Sequence, residues 1–242
     1  MNQKNITFSS NGFILKGTLH LPAAETPPVV IGSHGLFSSG SSPKQVALAR
    51  QCNELGIAFF RFDHRGCGHS QGVFQDVTSL EARCNDMISA IKMIQYRKDT
   101  GNRTGLFGSS MGGAVCLSVF EESDAYSIVT CAAPVRSSSI IKTLEKSNDS
   151  NTPTPPFYDK YLDSDISDKL SSTHHILIFH GDSDEIVPPS NAREIYEKAG
   201  DPKKLIIQKN GDHRMSNKTD QENFVRESAL WFKNSFDDSI SS

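Results

Sequence analysis

Short apolar segments alternate with longer amphipathic segments along most of this chain, and this alternation constrains the fold more than any other feature. Amphipathic spacing, which favours helices, occupies about 43–55, 80–96, 111–120, 190–199 and 220–236. The short segments between them read as strands, mostly with the apolar runs of strands buried on both faces: PVVIGSH, IAFFRFD, RTGLFG, SIVTCAA, HHILIFHG and KKLIIQ. Because strands that alternate with helices are joined by right-handed crossovers, the chain is predicted to form an α/β fold with a mainly parallel sheet flanked by helices.

Two further strands are predicted before this alternation begins. NITFSS and FILKGTLHL are separated by Asn11-Gly12, a dipeptide that favours a tight hairpin turn. We expect them to form an antiparallel hairpin at one edge of the sheet. With these two strands, the predicted sheet has eight strands. The sequence has no internal repeat and no clear linker, so residues 1–242 are predicted to form a single domain.

Composition and charge exclude several functional classes. The net charge of −3 argues against nucleic-acid and membrane-surface binding, and no apolar run reaches the about 18 residues that a membrane span requires. The start, MNQKNITFSSNG, lacks the charged-then-apolar pattern of a signal peptide. We therefore expect a cytoplasmic protein without membrane insertion. The five cysteines, an odd number without a C-x-x-C pair, indicate reduced thiols.

One long segment interrupts the alternation. Residues 134–173 are rich in Ser, Asp and Pro, and they follow a predicted core strand. A connection of this length is unusual inside a domain, so it is predicted to be an insertion, either mobile or carrying short helices. Its position favours a small lid over a site, with a surface excursion as the alternative.

Two stretches match G-x-S-x-G, the pattern around the nucleophile of many serine hydrolases: GHSQG with Ser70 and GSSMG with Ser110. A nucleophile elbow needs a strand that ends at the motif and a helix that begins immediately after it. The strand RTGLF leads directly into the second match, and helical spacing follows it. Four residues separate the first match from the end of the strand before it, and VFQDVTS after it lacks a helical apolar stripe. Ser110 is therefore the predicted nucleophile, and Ser70 is predicted to be a loop residue.

A nucleophilic serine needs a base, and the base needs an acid to hold its tautomer. Asp182 and Asp184 follow the strand HHILIFHG, and His213 follows the last strand. All of these candidates lie just beyond the carboxyl ends of predicted strands, where open α/β sheets bind ligands.

The chain resembles the α/β-hydrolase fold superfamily over nearly its whole length. Five stretches carry the resemblance in the family's order: SHGLFSSG, FDHRGCGHSQG, GSSMGG, HGDSDEIVPP and GDHRM. It implies that Asp184 is the acid that acts with Ser110 and His213. It also implies an oxyanion hole formed by the backbone N–H groups of Leu36 and Met111, with Phe37 as the near alternative to Leu36.

Several of these residues also have a structural interpretation. Ser110 is in a position to cap a helix, and Asp184 to cap the helix that starts near Pro188. His34 is expected to form structural hydrogen bonds rather than act as a base. Asp63 and Arg65 are expected to form an ion pair with each other.

The predicted function is that of a serine hydrolase that cleaves carboxylic esters of small or aromatic acyl groups, similar to the small-lid feruloyl (cinnamoyl) esterases. This chemistry requires no metal and no organic cofactor. Phe37, Phe157, Tyr158 and Tyr161 are predicted to contact the substrate, because aromatic rings supply a large apolar contact area. The alternatives are a thioesterase, a prolyl-oligopeptidase-like peptidase or a hydrolase-fold protein that binds without turnover. The expected partner is a small-molecule ester, and a homodimer is compatible with the sequence.

Overall fold

The predicted strands form one eight-stranded sheet in the computed structural model, which describes residues 2–138, 140 and 164–238. The strands are β1 (Asn2–Ser10), β2 (Phe13–Leu21), β3 (Val29–Ser33), β4 (Ala58–Phe62), β5 (Thr104–Ser109), β6 (Ser127–Cys131), β7 (Ile176–Gly181) and β8 (Lys203–Gln208). Their order across the sheet is β1-β2-β4-β3-β5-β6-β7-β8. The strands from β4 to β8 in that order are parallel, whereas β1 pairs with β2, and β2 with β4, in the antiparallel sense. The prediction of a mostly parallel α/β sheet is confirmed.

The opening hairpin turns at the predicted dipeptide. Asn11 and Gly12 have φ values of +44° and +84°, and Ser10 pairs directly with Phe13. A two-residue turn with positive φ at both positions matches the twist of the flanking strands, which explains why Asn-Gly suits this place.

The α-helices that lie wholly within the described residues are α1 (Pro43–Glu54), α2 (Phe74–Val77), α3 (Leu80–Gln95), α4 (Met111–Val119), α5 (Ser190–Lys198) and α6 (Lys218–Asp238). Five of these six match predicted helices to within two residues at each end. The remaining helix, α2, was not predicted, and it lies where the sequence indicated no helix. It is a single turn with no buried residue, so its sequence has no amphipathic pattern by which it could be predicted.

Adjacent residues of the central strands pack on opposite faces of the sheet. One face packs against α3, α4 and α5, and the other against α1 and α6. The strand pairs that divide in this way are Val30 and Ile31, Phe59 and Phe60, Leu106 and Phe107, Ile128 and Val129, and Leu177 and Ile178. The two cores confirm that the continuous apolar runs are strands buried on both faces.

All five cysteines are free, in agreement with the sequence, and four of them are buried. Within 2–138, 140 and 164–238, none of the helices combines the length and the apolar character that crossing a bilayer requires.

The two ends of the predicted insertion at 134–173 meet each other. The backbone N–H of Ser137 donates to the carbonyl oxygen of Ser164 at 2.9 Å, and the N–H of Ile166 donates to the carbonyl oxygen of Val135 at 3.0 Å. Residues 139 and 141–163 lie outside the described residues, so the single domain and the lid remain predictions.

Candidate active site

Ser110 lies at the junction of β5 and α4, in a strained backbone conformation. Its φ is +53° and its ψ is −125°, a combination that non-glycine residues seldom adopt and that costs of the order of 1–3 kcal/mol. A Cβ on Gly108 would overlap the carbonyl oxygen of Gly112, and one on Gly112 would overlap that of Ser33. Only glycine fits at these two positions, so the turn is as sharp as the sequence predicted.

The turn leaves the hydroxyl of Ser110 available for a partner other than its own helix. Ser110 occupies the N-cap position of α4, yet its side chain accepts no capping hydrogen bond. Its Oγ instead lies 3.0 Å from Nε2 of His213. The two residues are 103 positions apart in sequence and meet because β5 and β8 end at the same edge of the sheet.

Asp184 lies on the other side of the imidazole of His213. Nδ1 of His213 is 2.9 Å from Oδ2 and 3.0 Å from Oδ1 of the carboxylate. A carboxylate can only accept, so Nδ1 carries the proton and Nε2 is left to accept from the Ser110 hydroxyl. We call this chain of hydrogen bonds the Ser110 row. Asp182 lies outside it, because its Oδ1 accepts from the N–H of Asn210 and the hydroxyl of Ser183.

The carboxylate of Asp184 is buried and well supplied with donors. Burial raises the pKa of this carboxyl, but hydrogen bonds from His180, His213 and the backbone of Val187 together lower it well below its usual range. The backbone N–H groups of Ile186 and Val187 donate to Oδ1 at 2.9 and 2.7 Å. Asp184 is therefore a carboxylate at neutral pH, and it also caps the turn that follows it.

The loop after β3 lies beside the turn that carries Ser110. A Cβ on Gly35 would be 3.5 Å from Cβ of Ser110. Among the residues that the structure describes, neither the backbone N–H of Leu36 nor that of Met111 donates to a protein acceptor. The N–H of Met111 opens α4, where the helix dipole favours negative charge. Phe37 is 62% exposed, and its ring lies 5.5 Å from that of Phe74.

A model of the family described as serine aminopeptidase, S33, matches residues 24–152, more than half of the chain. The chain belongs to this family of α/β hydrolases. The chain is 28% identical to the uncharacterized protein YfhR of Escherichia coli K12 over 193 residues, which are 79% of this chain and 65% of YfhR. It is 27% identical to the mitochondrial palmitoyl-protein thioesterase ABHD10 of Mus musculus over 220 residues, with 80% of this chain and 71% of ABHD10 covered.

Solved esterase structures share the fold of this chain. The Pyrococcus furiosus esterase Pf2001 superimposes with a TM-score of 0.83 at 17% identity and covers 97% of this chain and 91% of its own. Est1E from Butyrivibrio proteoclasticus with ferulic acid bound has a TM-score of 0.81 at 17% identity, with 96% of this chain and 99% of its own covered. The chain thus has the same fold as these two esterases.

A second serine–histidine–aspartate array lies in the interior of the protein. Oγ of Ser33 is 2.8 Å from Nε2 of His64, and Nδ1 of His64 is 3.4 Å from Oδ2 of Asp86. All three side chains are buried, so no substrate can reach this serine. Burial, the largest cause, lowers the pKa of His64 to about 4 and keeps the imidazole neutral.

His34 has the structural role that the sequence indicated. Its Nε2 accepts from the backbone N–H of His64 at 3.1 Å, which leaves Nδ1 protonated to donate to the carbonyl oxygen of Gly35 at 2.7 Å. The ring is buried and bridges two loops, away from the position of a catalytic base.

The predicted ion pair between Asp63 and Arg65 is wrong. Arg65 turns towards α3 and binds Asp86, with Nη2 of the guanidinium 2.7 Å from Oδ1. The carboxylate of Asp63 instead accepts from the backbone N–H groups of Gly40 and His69 at 2.7 and 2.9 Å. The two side chains are separated by one residue in a turn, and the turn directs them to different elements.

Two residues beside the Ser110 row were missed by the sequence analysis. Nε2 of His180 lies 2.8 Å from the carbonyl oxygen of Val187 and 3.2 Å from Oδ2 of Asp184, so it carries a proton between two acceptors. Oε2 of Glu185 accepts from the backbone N–H of His213 at 3.0 Å. Both belong to the stretch HGDSDE around the acid, which was the only available signal.

The predicted aromatic contacts in the insertion, Phe157, Tyr158 and Tyr161, lie outside the described residues.

Proposed function

We propose that this hydrolase cleaves carboxylic esters through an acyl-enzyme intermediate, with Ser110 as nucleophile, His213 as general base and Asp184 as the acid that orients the base. One observation carries the proposal: the continuous hydrogen-bonded row from the Ser110 hydroxyl to the buried carboxylate. A free serine hydroxyl is a weak nucleophile at neutral pH, and an imidazole held in this tautomer removes its proton as the oxygen attacks.

Acylation follows from the geometry. Oγ of Ser110 forms a bond to the ester carbonyl carbon while its proton moves to Nε2 of His213, and the carbonyl electron pair moves onto oxygen. When this tetrahedral intermediate collapses, the carbon–alkoxy bond breaks and the imidazolium returns its proton to the departing alkoxide. Water then repeats the sequence on the acyl-enzyme and releases the carboxylic acid.

The negative charge on the carbonyl oxygen is proposed to be held by the backbone N–H groups of Leu36 and Met111. Their lack of acceptors among the described residues supports this role, as does the position of Met111 at the start of α4. Preorganised donors of this kind stabilise the transition state, and loss of one costs about 10²–10³-fold in rate.

A fluorophosphonate probe tests the nucleophile directly. We expect intact mass to increase by one adduct and peptide mapping to locate it on Ser110. Ser110→Ala should abolish labelling, and Ser70→Ala, the matched control from the other G-x-S-x-G stretch, should label at the wild-type rate. An unlabelled wild type would contradict the proposal and favour a hydrolase-fold protein that binds without turnover.

Small or aromatic acyl groups are the proposed substrates. Phe37 and Phe74 form an apolar surface next to the proposed oxyanion site. Such a surface fits an aryl or short acyl chain, and the similarity to Est1E with ferulic acid bound supports the same class.

A thioesterase is the second candidate, because the ABHD10 relative is a palmitoyl-protein thioesterase. The proposed roles of Ser110 and His213 serve esters and thioesters equally. Comparison of kcat/KM for aryl acetates, feruloyl esters, acyl thioesters and aminoacyl anilides separates these classes from each other and from a peptidase. We expect the oxygen esters to have the highest kcat/KM, and a preference for long-chain thioesters would replace the ester proposal.

A further inference from the structure

Arg83 on α3 binds the backbone of the loop that follows β3. Its side chain is completely buried. Nη1 lies 3.3 Å from the carbonyl oxygen of His34 and 3.4 Å from that of Gly35, and Nη2 lies 3.0 Å from that of Leu36. One guanidinium therefore contacts three consecutive carbonyl groups, the last two of which flank the N–H of Leu36.

The remaining contacts of Arg83 are with neutral groups. Nε donates to Oγ1 of Thr78 at 3.2 Å, and Nη2 lies 3.3 Å from Sγ of Cys67. Within the part of the chain that the structure describes, Arg83 forms no salt bridge, and burial lowers the pKa of its guanidinium although the charge of the nearby Asp86 raises it. A buried charge is costly unless its donors are satisfied, so this cation depends on the loop carbonyls, and the loop in turn depends on it.

The planarity of the peptide bond connects this contact to the proposed active site. The carbonyl of Gly35 and the N–H of Leu36 belong to the same peptide group, and in a trans peptide they point in opposite directions. Arg83 and Nδ1 of His34 both donate to this carbonyl. The carbonyl is thus held towards the interior, and the N–H of Leu36 points out on the opposite side.

The positive charge of Arg83 also affects the peptide group between Gly35 and Leu36. A cation that hydrogen-bonds the carbonyl of a peptide group polarises that group, which makes its N–H a stronger donor. Arg83 sits behind the peptide that would face an oxyanion, so its positive charge acts on the transition state without touching it.

We propose that Arg83 is a positioning residue for ester hydrolysis, which orients and polarises the Leu36 N–H that binds the oxyanion. The inference rests on the proposed function. It assigns a kinetic role to a buried arginine that touches neither the substrate nor the Ser110 row.

The test compares Arg83→Lys and Arg83→Gln with the wild type on an aryl ester. Lysine keeps the charge but cannot reach three carbonyls in a plane, and glutamine loses the charge as well. We expect kcat to fall about tenfold in Arg83→Lys and further in Arg83→Gln, within the about 10²–10³-fold cost of losing an oxyanion donor. KM should be unchanged in both.

The Ki of an oxyanion mimic distinguishes a role of Arg83 in the reaction from a purely structural role. A trifluoromethyl ketone forms a hemiketal oxyanion on Ser110, so its Ki should rise by the same factor by which kcat falls. Arg103→Lys is the matched control, because Nη1 of Arg103 also binds a carbonyl oxygen, that of Phe236, at the opposite end of β5. It should lower the melting temperature without changing kcat or Ki.

The outcomes separate this inference from the proposed function. Wild-type kcat and Ki in both Arg83 variants, with ester turnover intact, would overturn the role of Arg83 alone. A wild type without turnover would overturn both. If the variants do not fold, a crystal structure of the wild-type trifluoromethyl ketone adduct decides. The adduct oxygen should accept from the N–H of Leu36 while Arg83 keeps its bond to the Gly35 carbonyl, and any other donor in place of Leu36 would refute the inference.

Discussion

The two G-x-S-x-G stretches have the same spacing but place their serines in different chemical surroundings. The hydroxyl of Ser110 meets an imidazole nitrogen at a strand–helix turn. The hydroxyl of Ser70 donates to the carbonyl oxygen of Asp63 at 2.6 Å and accepts from the backbone N–H of Lys16 at 3.0 Å, so it joins a loop to β2. The Ser110 hydroxyl is thus hydrogen-bonded to an imidazole, whereas the Ser70 hydroxyl is hydrogen-bonded to two backbone groups.

Glycines do not distinguish the two stretches. Gly68 and Gly72 have φ values of +50° and +110°, and a Cβ on Gly68 would overlap the carboxylate of Asp63. The first stretch therefore needs its glycines as much as the second, but for a loop that wraps a buried carboxylate. What distinguishes Ser110 is the direct passage from strand to helix, which holds its φ positive and places its hydroxyl at the sheet edge.

The largest expected effect tests this contrast directly. Ser110→Ala should lower kcat for an aryl ester by about 10⁴-fold or more, because the proposed nucleophile is lost. Ser70→Ala should leave kcat close to the wild-type value and reduce the free energy of unfolding by about 1 kcal/mol, because a backbone carbonyl and an N–H lose their partner. Steady-state kinetics and urea titration measure both, and equal losses of kcat would contradict the different roles given to the two serines.

The two aspartates of HGDSD provide the next test. Asp184→Asn should lower kcat by about 10⁴-fold, since an amide no longer fixes His213 in the tautomer that can act as a base. Asp182→Asn is the control, because its partners are Asn210 and Ser183. It should keep most of the activity, and a similar loss in both variants would mean that the wrong acid has been assigned.

A third serine, Ser33, also contacts a histidine, but it cannot react with a substrate because it is buried together with His64 and Asp86. The pKa of His64 is about 4 when folded and 6.5 in its ordinary state, so the unfolded chain binds an extra proton between these values. The free energy of unfolding should therefore fall as pH drops from about 6.5 to about 4, by on the order of 3 kcal/mol for this group.

A variant of the buried histidine tests its contribution to this pH dependence. His64→Gln should reduce the slope of the free energy of unfolding against pH in urea titrations. The slope should not vanish, because burial also lowers the pKa values of His20 and His34. An unchanged slope in His64→Gln would show that burial does not keep the imidazole of His64 neutral.

The smallest expected effect concerns Glu185, which accepts from the backbone N–H of His213. Glu185→Ala should lower kcat only about two- to fivefold, since one hydrogen bond is lost while Asp184 still holds the ring. Glu185→Gln keeps an accepting oxygen and should recover most of the activity. A loss in Glu185→Ala as large as that of Asp184→Asn would place Glu185 in the row itself.

The amino-acid sequence was sufficient to predict the sheet, five of the six described helices and the strand ends that carry Ser110, Asp184 and His213. These features depend on local patterns: apolar runs for strands buried on both faces, helical spacing between them, and Asn-Gly at a turn that needs positive φ twice. The helix α2 was not predicted because a single turn without buried residues has no apolar stripe.

The contacts between side chains, in contrast, depend on how the loops pack in three dimensions. Asp184 rather than Asp182 reaches His213 because the loops after β7 and β8 cross closely, and the N–H of Ser183 donates to the carbonyl oxygen of Gly211. Arg65 binds Asp86 rather than its neighbour Asp63, across 21 positions. The contact of Arg83 with Leu36 spans 47 positions and leaves no spacing motif. Side-chain directions in loops depend on backbone angles that packing sets, so a pattern of residue types can nominate the partners but cannot pair them.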